Sequence, residues 1–142
     1  MRIIIDPKLK IPLTAQVLRD SNVLIATTEN ADSKKLTQIK KSGAGILIFL
    51  GPQISIEESL IELAKREIIS VLVEGGSMTL GHFADSRLFD IVYAFHAPII
   101  IGGKNAISAV GGEGVETVGR TIKFSEISYK HFGDNLLTIA RV

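Results

Sequence analysis

The stretch Ser70–Leu80, SVLVEGGSMTL, decides how this chain is read. Val71, Leu72 and Val73 form a short apolar run that predicts a buried strand over Val71–Glu74. A carboxylate, two glycines and two hydroxyl residues follow at once. Leu80, Phe83 and Ala84 then mark the inward face of a short helix from Ser77 to about Asp85. Glycines directly after a strand let the backbone turn sharply and leave room for a ligand. The first turn of the next helix adds unpaired N–H groups and a partial positive charge. Such a turn suits an anion, phosphate above all, with Ser77 and Thr79 as further donors. In an open α/β sheet it lies beyond the carboxyl end of its strand, where ligands bind. The stretch lacks the Gly-Lys-Ser/Thr ending of a phosphate loop and the spacing of the dinucleotide fingerprint. It departs from the G-x-S-x-G nucleophile elbow at Thr79. A plain tight turn, capped by Ser77 with Glu74 at a wet strand end, accounts for the glycines and the serine but gives no reason for Glu74.

The surrounding chain is that of a globular domain. Its 142 residues suit one domain, with 46% hydrophobic and 22% charged residues and a net charge of +1. No basic stripe marks a nucleic-acid partner, and the densest basic run, Lys34–Lys41, reads as the wet face of a helix. The absence of cysteine excludes disulfides, thiol chemistry and cysteine-based zinc sites, and fits the cytoplasm. MRIIID does not resemble a signal peptide. The longest apolar stretch, Ile91–Ile101, is broken by His96 and Pro98 and is too short to span a bilayer, so a soluble chain without a membrane partner is expected.

Strands are predicted at Arg2–Asp6, Val23–Thr27 and Gly45–Leu50. Between them, a helix capped by Asp32 or Ser33 runs to Lys41 with Leu36, Ile39 and Lys40 at helical spacing, and Gly43 ends it. Ser55–Arg66 is an amphipathic helix in which Ser55 and Glu58 form a capping box and Ile56, Leu60, Leu63 and Ala64 an inward stripe. Continuous apolar strands alternating with helices predict a parallel sheet covered on both faces. The C-terminal part differs. A strand at Ile91–Phe95 and a short apolar piece at Ile99–Ile101 precede a loop, Gly102–Gly119, with six glycines. Thr121–His131 and Leu136–Val142 then alternate apolar and polar across Gly133-Asp134-Asn135, predicting an antiparallel hairpin.

With these pieces in place, Ser70–Gly103 resembles the pyrimidine reductase domain of riboflavin biosynthesis, the C-terminal domain of the bifunctional deaminase–reductase. The resemblance is carried by Val73-Glu74-Gly75-Gly76, Phe83, Leu88 to Asp90, Ala97-Pro98 and Gly102-Gly103. Upstream, RIIIDPKLKIPLTAQVL matches a strand ending in Asp and an Ile-Pro-Leu segment. Downstream, GGEGVETV and GDNLL also fit. The resemblance implies an α/β fold of the dihydrofolate-reductase type: three layers, a mixed sheet that is parallel with an antiparallel C-terminal hairpin, and helices on both faces. It implies NADPH as cofactor, held by Gly75, Gly76, Ser77, Met78, Thr79, Leu80, Gly81 and His82, and assigns Glu74 to the substrate. The implied reaction reduces 5-amino-6-(5-phosphoribosylamino)uracil to its ribitylamino product. No catalytic residue and no metal ligand is assigned. The chain differs from typical members at Pro7, Met78 and Thr79. The family domain also carries a strand, a helix, a second strand and an Asp-Asn-Pro segment ahead of the matched part. The expectation is therefore a single, N-terminally truncated reductase-like domain over 1–142, a homodimer, with the missing segment or a deaminase domain as a further partner.

Two other functions are weighed. A serine hydrolase would use Ser77 with His96 or His131 as base. A non-catalytic nucleotide-binding or dimerisation module would keep the turn without the chemistry. His82, His96 and His131 are too dispersed in sequence for a metal site, and GGEGVETVG, Gly111–Gly119, reads either as a loop over the site or as a surface connection.

Overall fold

The computed structural model describes residues 1–142, and the chain divides into two compact units, Met1–Ile69 and Ser70–Val142. The first unit is built on three parallel strands, β1 (Arg2–Ile5), β2 (Val23–Thr28) and β3 (Gly45–Phe49), in the order β1-β2-β3. All six residues of β2 are buried, as a central strand covered on both faces requires. The side-chain alternation of β2 sorts the core into two layers. Val23 and Ile25 join Leu9, Leu18, Ile39 and Ala44 on one face, with Ile4 and Ile46 beside them. Leu24 and Ala26 join Leu47, Phe49, Ile54 and Leu63 on the other, with Ile3, Ile5 and Ile68. Ile39 belongs to α1 (Ser33–Lys41) and Leu63 to α2 (Ile56–Ala64), so the two helices cover opposite faces.

Local chemistry explains where these helices begin. The Asp32 carboxylate accepts the N–H groups of Lys34 and Lys35 at 2.8 and 3.2 Å, and the Ser55 hydroxyl accepts that of Glu58 at 3.2 Å. Caps of this type contribute about 1 kcal/mol each. Gly43, at φ +88°, takes the left-handed position that ends α1. The inward stripe of α2 runs through Ile56, Ser59, Leu60 and Leu63, and Ala64 is exposed, against expectation. A stripe at spacings of three and four turns Ala64 to the wet edge, and buried Ser59 is satisfied by donating to the Ser55 carbonyl at 2.7 Å. Lys40 is likewise exposed while Ile39 is fully buried. At the end of β1, the Pro7 carbonyl accepts the hydroxyls of buried Thr27 and Thr28 at 3.2 and 2.8 Å. Arg2 pairs with Asp20 ahead of β2. The Arg2 guanidinium, then the Asn22 N–H, hold the Asp20 carboxyl below its usual range.

The second unit contains α3 (Ser77–Asp85) and three antiparallel strands, β4 (Ile91–His96), β5 (Glu126–Phe132) and β6 (Asn135–Arg141), in the order β4-β6-β5. The hairpin expected at the C-terminus is present, with Gly133 at φ +56° in a turn that pairs Phe132 with Asn135. Its first strand starts at Glu126 rather than Thr121, some residues after a tight helical turn at Val118–Arg120. Central β6 buries Leu137 and Ala140, and the Phe95 and Phe132 rings lie 6.1 Å apart across its flanks. One expected strand is absent. Val71–Glu74 makes no backbone–backbone hydrogen bond and belongs to neither sheet. Leu72 is 75% exposed. A short apolar run becomes a strand only where a neighbour pairs with its N–H and C=O groups, and none does here.

Candidate functional site

The glycine turn of the opening stretch is formed as expected, but not by the expected cap. Gly75 has φ +115°, a conformation that side chains disfavour, and the Gly75–Gly76 peptide is cis. Gly76, not Ser77, is the N-cap of α3, and no side chain caps the helix. The Leu80 N–H reaches the Gly76 carbonyl at 3.1 Å. The N–H groups of Ser77, Met78 and Thr79, ahead of that bond, therefore lie in the first turn without an intrahelical partner. Three free donors with the positive end of the helix dipole behind them are chemically suited to an anion. Glu74 stands exposed immediately before it.

The remaining predicted residues fall on distinct faces of α3. Met78 and His82, four apart, share an exposed stripe, and Ser77, Thr79 and Leu80 are half-buried. Gly81 is buried, because the loop backbone at Gly111 and Gly112 lies directly against it. A Cβ on Gly81 would overlap the Gly111 carbonyl group and the Gly112 nitrogen, so no side chain fits. The Gly111 N–H donates to the Ser77 carbonyl at 2.8 Å, and the Asp85 carboxylate accepts the N–H groups of Glu113 and Gly114 at 2.8 and 3.0 Å. Ser77, Gly81 and Asp85 are spaced by four and make one stripe of α3, to which Gly111–Gly114 is strapped. Gly111–Gly114 is therefore a surface segment tied to α3. Just beyond it, Arg87, itself at φ +55°, donates to the Arg120 carbonyl at 3.0 Å.

By sequence position alone Asp85 is only a polar residue at a helix end. The signal that points to the strap is Gly81, a glycine inside a helix, which is about 1 kcal/mol worse than alanine there unless a close approach requires it. The histidines are not gathered into a metal-ligating group. His82, His96 and His131 are all exposed, and no hydrogen bond joins Ser77 to His96 or His131. Groups of three or more metal-ligating side chains are absent, and no helix is long and apolar enough to cross a membrane.

Residues 1–138 match the family model of the RibD C-terminal domain. The chain belongs to this family. It is 34% identical over 140 residues to the 2,5-diamino-6-ribosylamino-4(3H)-pyrimidinone 5′-phosphate reductase of Aquifex aeolicus, covering 97% of this chain and 62% of that protein. It is 37% identical over 120 residues to the riboflavin biosynthesis protein RibD of Bacillus amyloliquefaciens, covering 83% of this chain and 32% of that one. Among solved structures, Acinetobacter baumannii RibD superposes with a TM-score of 0.82 at 20% identity, over 99% of this chain and 37% of that chain. The chain thus spans about three-fifths or less of these relatives. The structural likeness establishes the fold: this RibD-type chain has the α/β, dihydrofolate-reductase-like architecture, parallel at first and antiparallel in its C-terminal hairpin.

Proposed function

We propose that this RibD-type chain takes part in the NADPH-dependent reduction of a ribosylaminopyrimidine 5′-phosphate in riboflavin biosynthesis. The observation that carries the reading is the uncapped first turn of α3 behind the Gly75–Gly76 turn, with Glu74 exposed beside it. Its donors fit the pyrophosphate of a dinucleotide, and Gly75 to His82 form the proposed cofactor segment. When bound at these residues, the cofactor would supply the hydride for ribose C1′, with the C1′–O4′ bond broken and O4′ protonated to give the ribityl chain. The chain's own part is to hold phosphate at the α3 N–H groups and to orient the pyrimidine through Glu74, a carboxylate suited to ring N–H and amino donors. In the same reading the enzyme is a cytoplasmic homodimer, and a deaminase domain or a further N-terminal segment is its partner.

The substrate favoured by resemblance is 5-amino-6-(5-phosphoribosylamino)uracil. The name of the Aquifex relative favours a second, the 2,5-diaminopyrimidinone, which differs at ring position 2. Following NADPH absorbance with each compound decides between them, and no oxidation with either, under conditions where NADPH binds, refutes the reductase reading. Loss of NADPH binding even at millimolar concentration refutes the cofactor assignment. Glu74→Gln is expected to lower kcat/KM by about 10- to 100-fold, the loss of one charge-assisted hydrogen bond, with NADPH affinity unchanged. An unchanged kcat/KM removes Glu74 from the substrate site.

A further inference from the structure

We infer that Asp85 is a positioning residue for the first turn of α3: by holding Gly111–Gly114 along the helix it fixes the donors at the opposite end. The inference rests on the cofactor reading above. Asp85 closes α3 and touches none of the proposed cofactor donors, yet it is linked to them through the strap. At one end of the strap, two main-chain N–H groups bind its carboxylate; at the other, the Gly111 N–H binds the carbonyl of Ser77, the first residue of the helix. Between these points the contact is backbone on backbone. A Cβ on Gly111 would come 3.2 Å from the Met78 sulfur and from the Ser77 carbonyl carbon. A Cβ on Gly112 would run into the Asp85 carboxylate itself.

This fit leaves little play. Because the strap is bonded to the Ser77 carbonyl through its own main chain, its movement acts on the turn that presents the Ser77–Thr79 N–H groups. A carboxylate is suited to the task because its two oxygens can take both N–H groups at once. Alanine removes both bonds, while asparagine keeps one acceptor oxygen and adds an amide facing the N–H donors. Asparagine should therefore weaken the strap less than alanine.

The test compares wild type, Asp85→Asn and Asp85→Ala by NADPH titration, steady-state kinetics and amide hydrogen exchange. Asp85→Ala is expected to raise the NADPH Kd about tenfold while kcat at saturating NADPH stays unchanged, with Asp85→Asn between. Exchange should quicken at Leu80, whose N–H closes the first turn on Gly76, as well as at Glu113 and Gly114, a spread along the helix that a merely local anchor does not produce. An unchanged NADPH Kd in both variants, with faster exchange at Glu113 and Gly114, overturns the inference. If wild type fails to bind NADPH at all, the cofactor reading falls. Exchange then decides the positioning role: it stands if Leu80 is loosened and falls if only the strap and Gly81 beneath it are. Should Asp85→Ala not fold, Asp85→Asn carries both measurements.

Discussion

Replacing Gly81 with alanine is expected to destabilise the Ser70–Val142 unit by about 3 kcal/mol, at the upper end for overpacking. The added methyl falls on the Gly111 carbonyl group and the Gly112 nitrogen, which are main-chain atoms and cannot rotate aside. Two responses are open to the molecule. The helix and loop can separate in place, which strains both. Alternatively the loop can lift off, which breaks the bond of Gly111 to Ser77 and the two bonds of Asp85. Each lost hydrogen bond is worth about 1 kcal/mol, somewhat more with a carboxylate as acceptor, so the second route reaches a similar total. Alanine's better helix propensity returns only about 1 kcal/mol. Denaturant unfolding of wild type and Gly81→Ala measures the difference. A variant as stable as wild type shows that the loop does not approach α3 this closely. An alanine at Gly114, where a Cβ would meet nothing within 4 Å, tests space separately from backbone strain, since φ there is +69°.

The same contact shows which parts of the molecule were legible in the sequence. Elements that depend on their own residues were readable. Asp32 and Ser55 cap helices because their side chains reach N–H groups two or three residues on. The alternating strands and the Gly133-Asp134 turn define the hairpin. The glycine turn was legible for the same reason. Features that depend on a distant neighbour were not. Val71–Glu74 has the composition of a strand, but strand formation is a property of a pair, and the run carries no mark of what pairs with it. Asp85 looks like any polar residue at a helix end until Glu113 and Gly114, 28 and 29 residues away, are brought against it. The helix begins at Ser77 as read, but Ser77, which has the residue type of an N-cap, is its first residue and Gly76 is the cap. The side-chain cap is thereby lost and the donors of the first turn stay open. That displacement by a single residue separates an ordinary capped turn from a candidate anion site, and it lies below the precision with which helix ends can be read from sequence.

In the Met1–Ile69 unit the largest effect is expected at Ile25: Ile25→Ala should destabilise the protein by about 3–5 kcal/mol. Ile25 has no exposed surface and lies at the middle of β2, paired in register with Ile4 on β1 and Ile46 on β3. Its side chain enters the layer of Leu9, Leu18, Val23, Ile39 and Ala44, so truncation leaves a cavity bounded by a strand and by α1. Neither boundary can collapse readily. The strand is held by parallel ladders on both sides, and α1 is fixed at its start by the Asp32 cap and buried at Ile39. The transfer loss for the missing carbons is therefore joined by a cavity term. Against a typical stability of about 5–15 kcal/mol, a loss of this size puts the unit near its unfolding threshold. Ile25→Val, which removes one methylene, should lose only about 1 kcal/mol. Ile48→Ala on neighbouring β3 is the control: Ile48 is 52% exposed and outside both core clusters, so its loss should be well under that of Ile25. Chemical denaturation of the three variants gives the order. If Ile48→Ala destabilises as much as Ile25→Ala, the assignment of β2 as the buried centre of the parallel sheet is wrong. The expected order instead ties stability to the strand whose six buried residues separate the two hydrophobic layers.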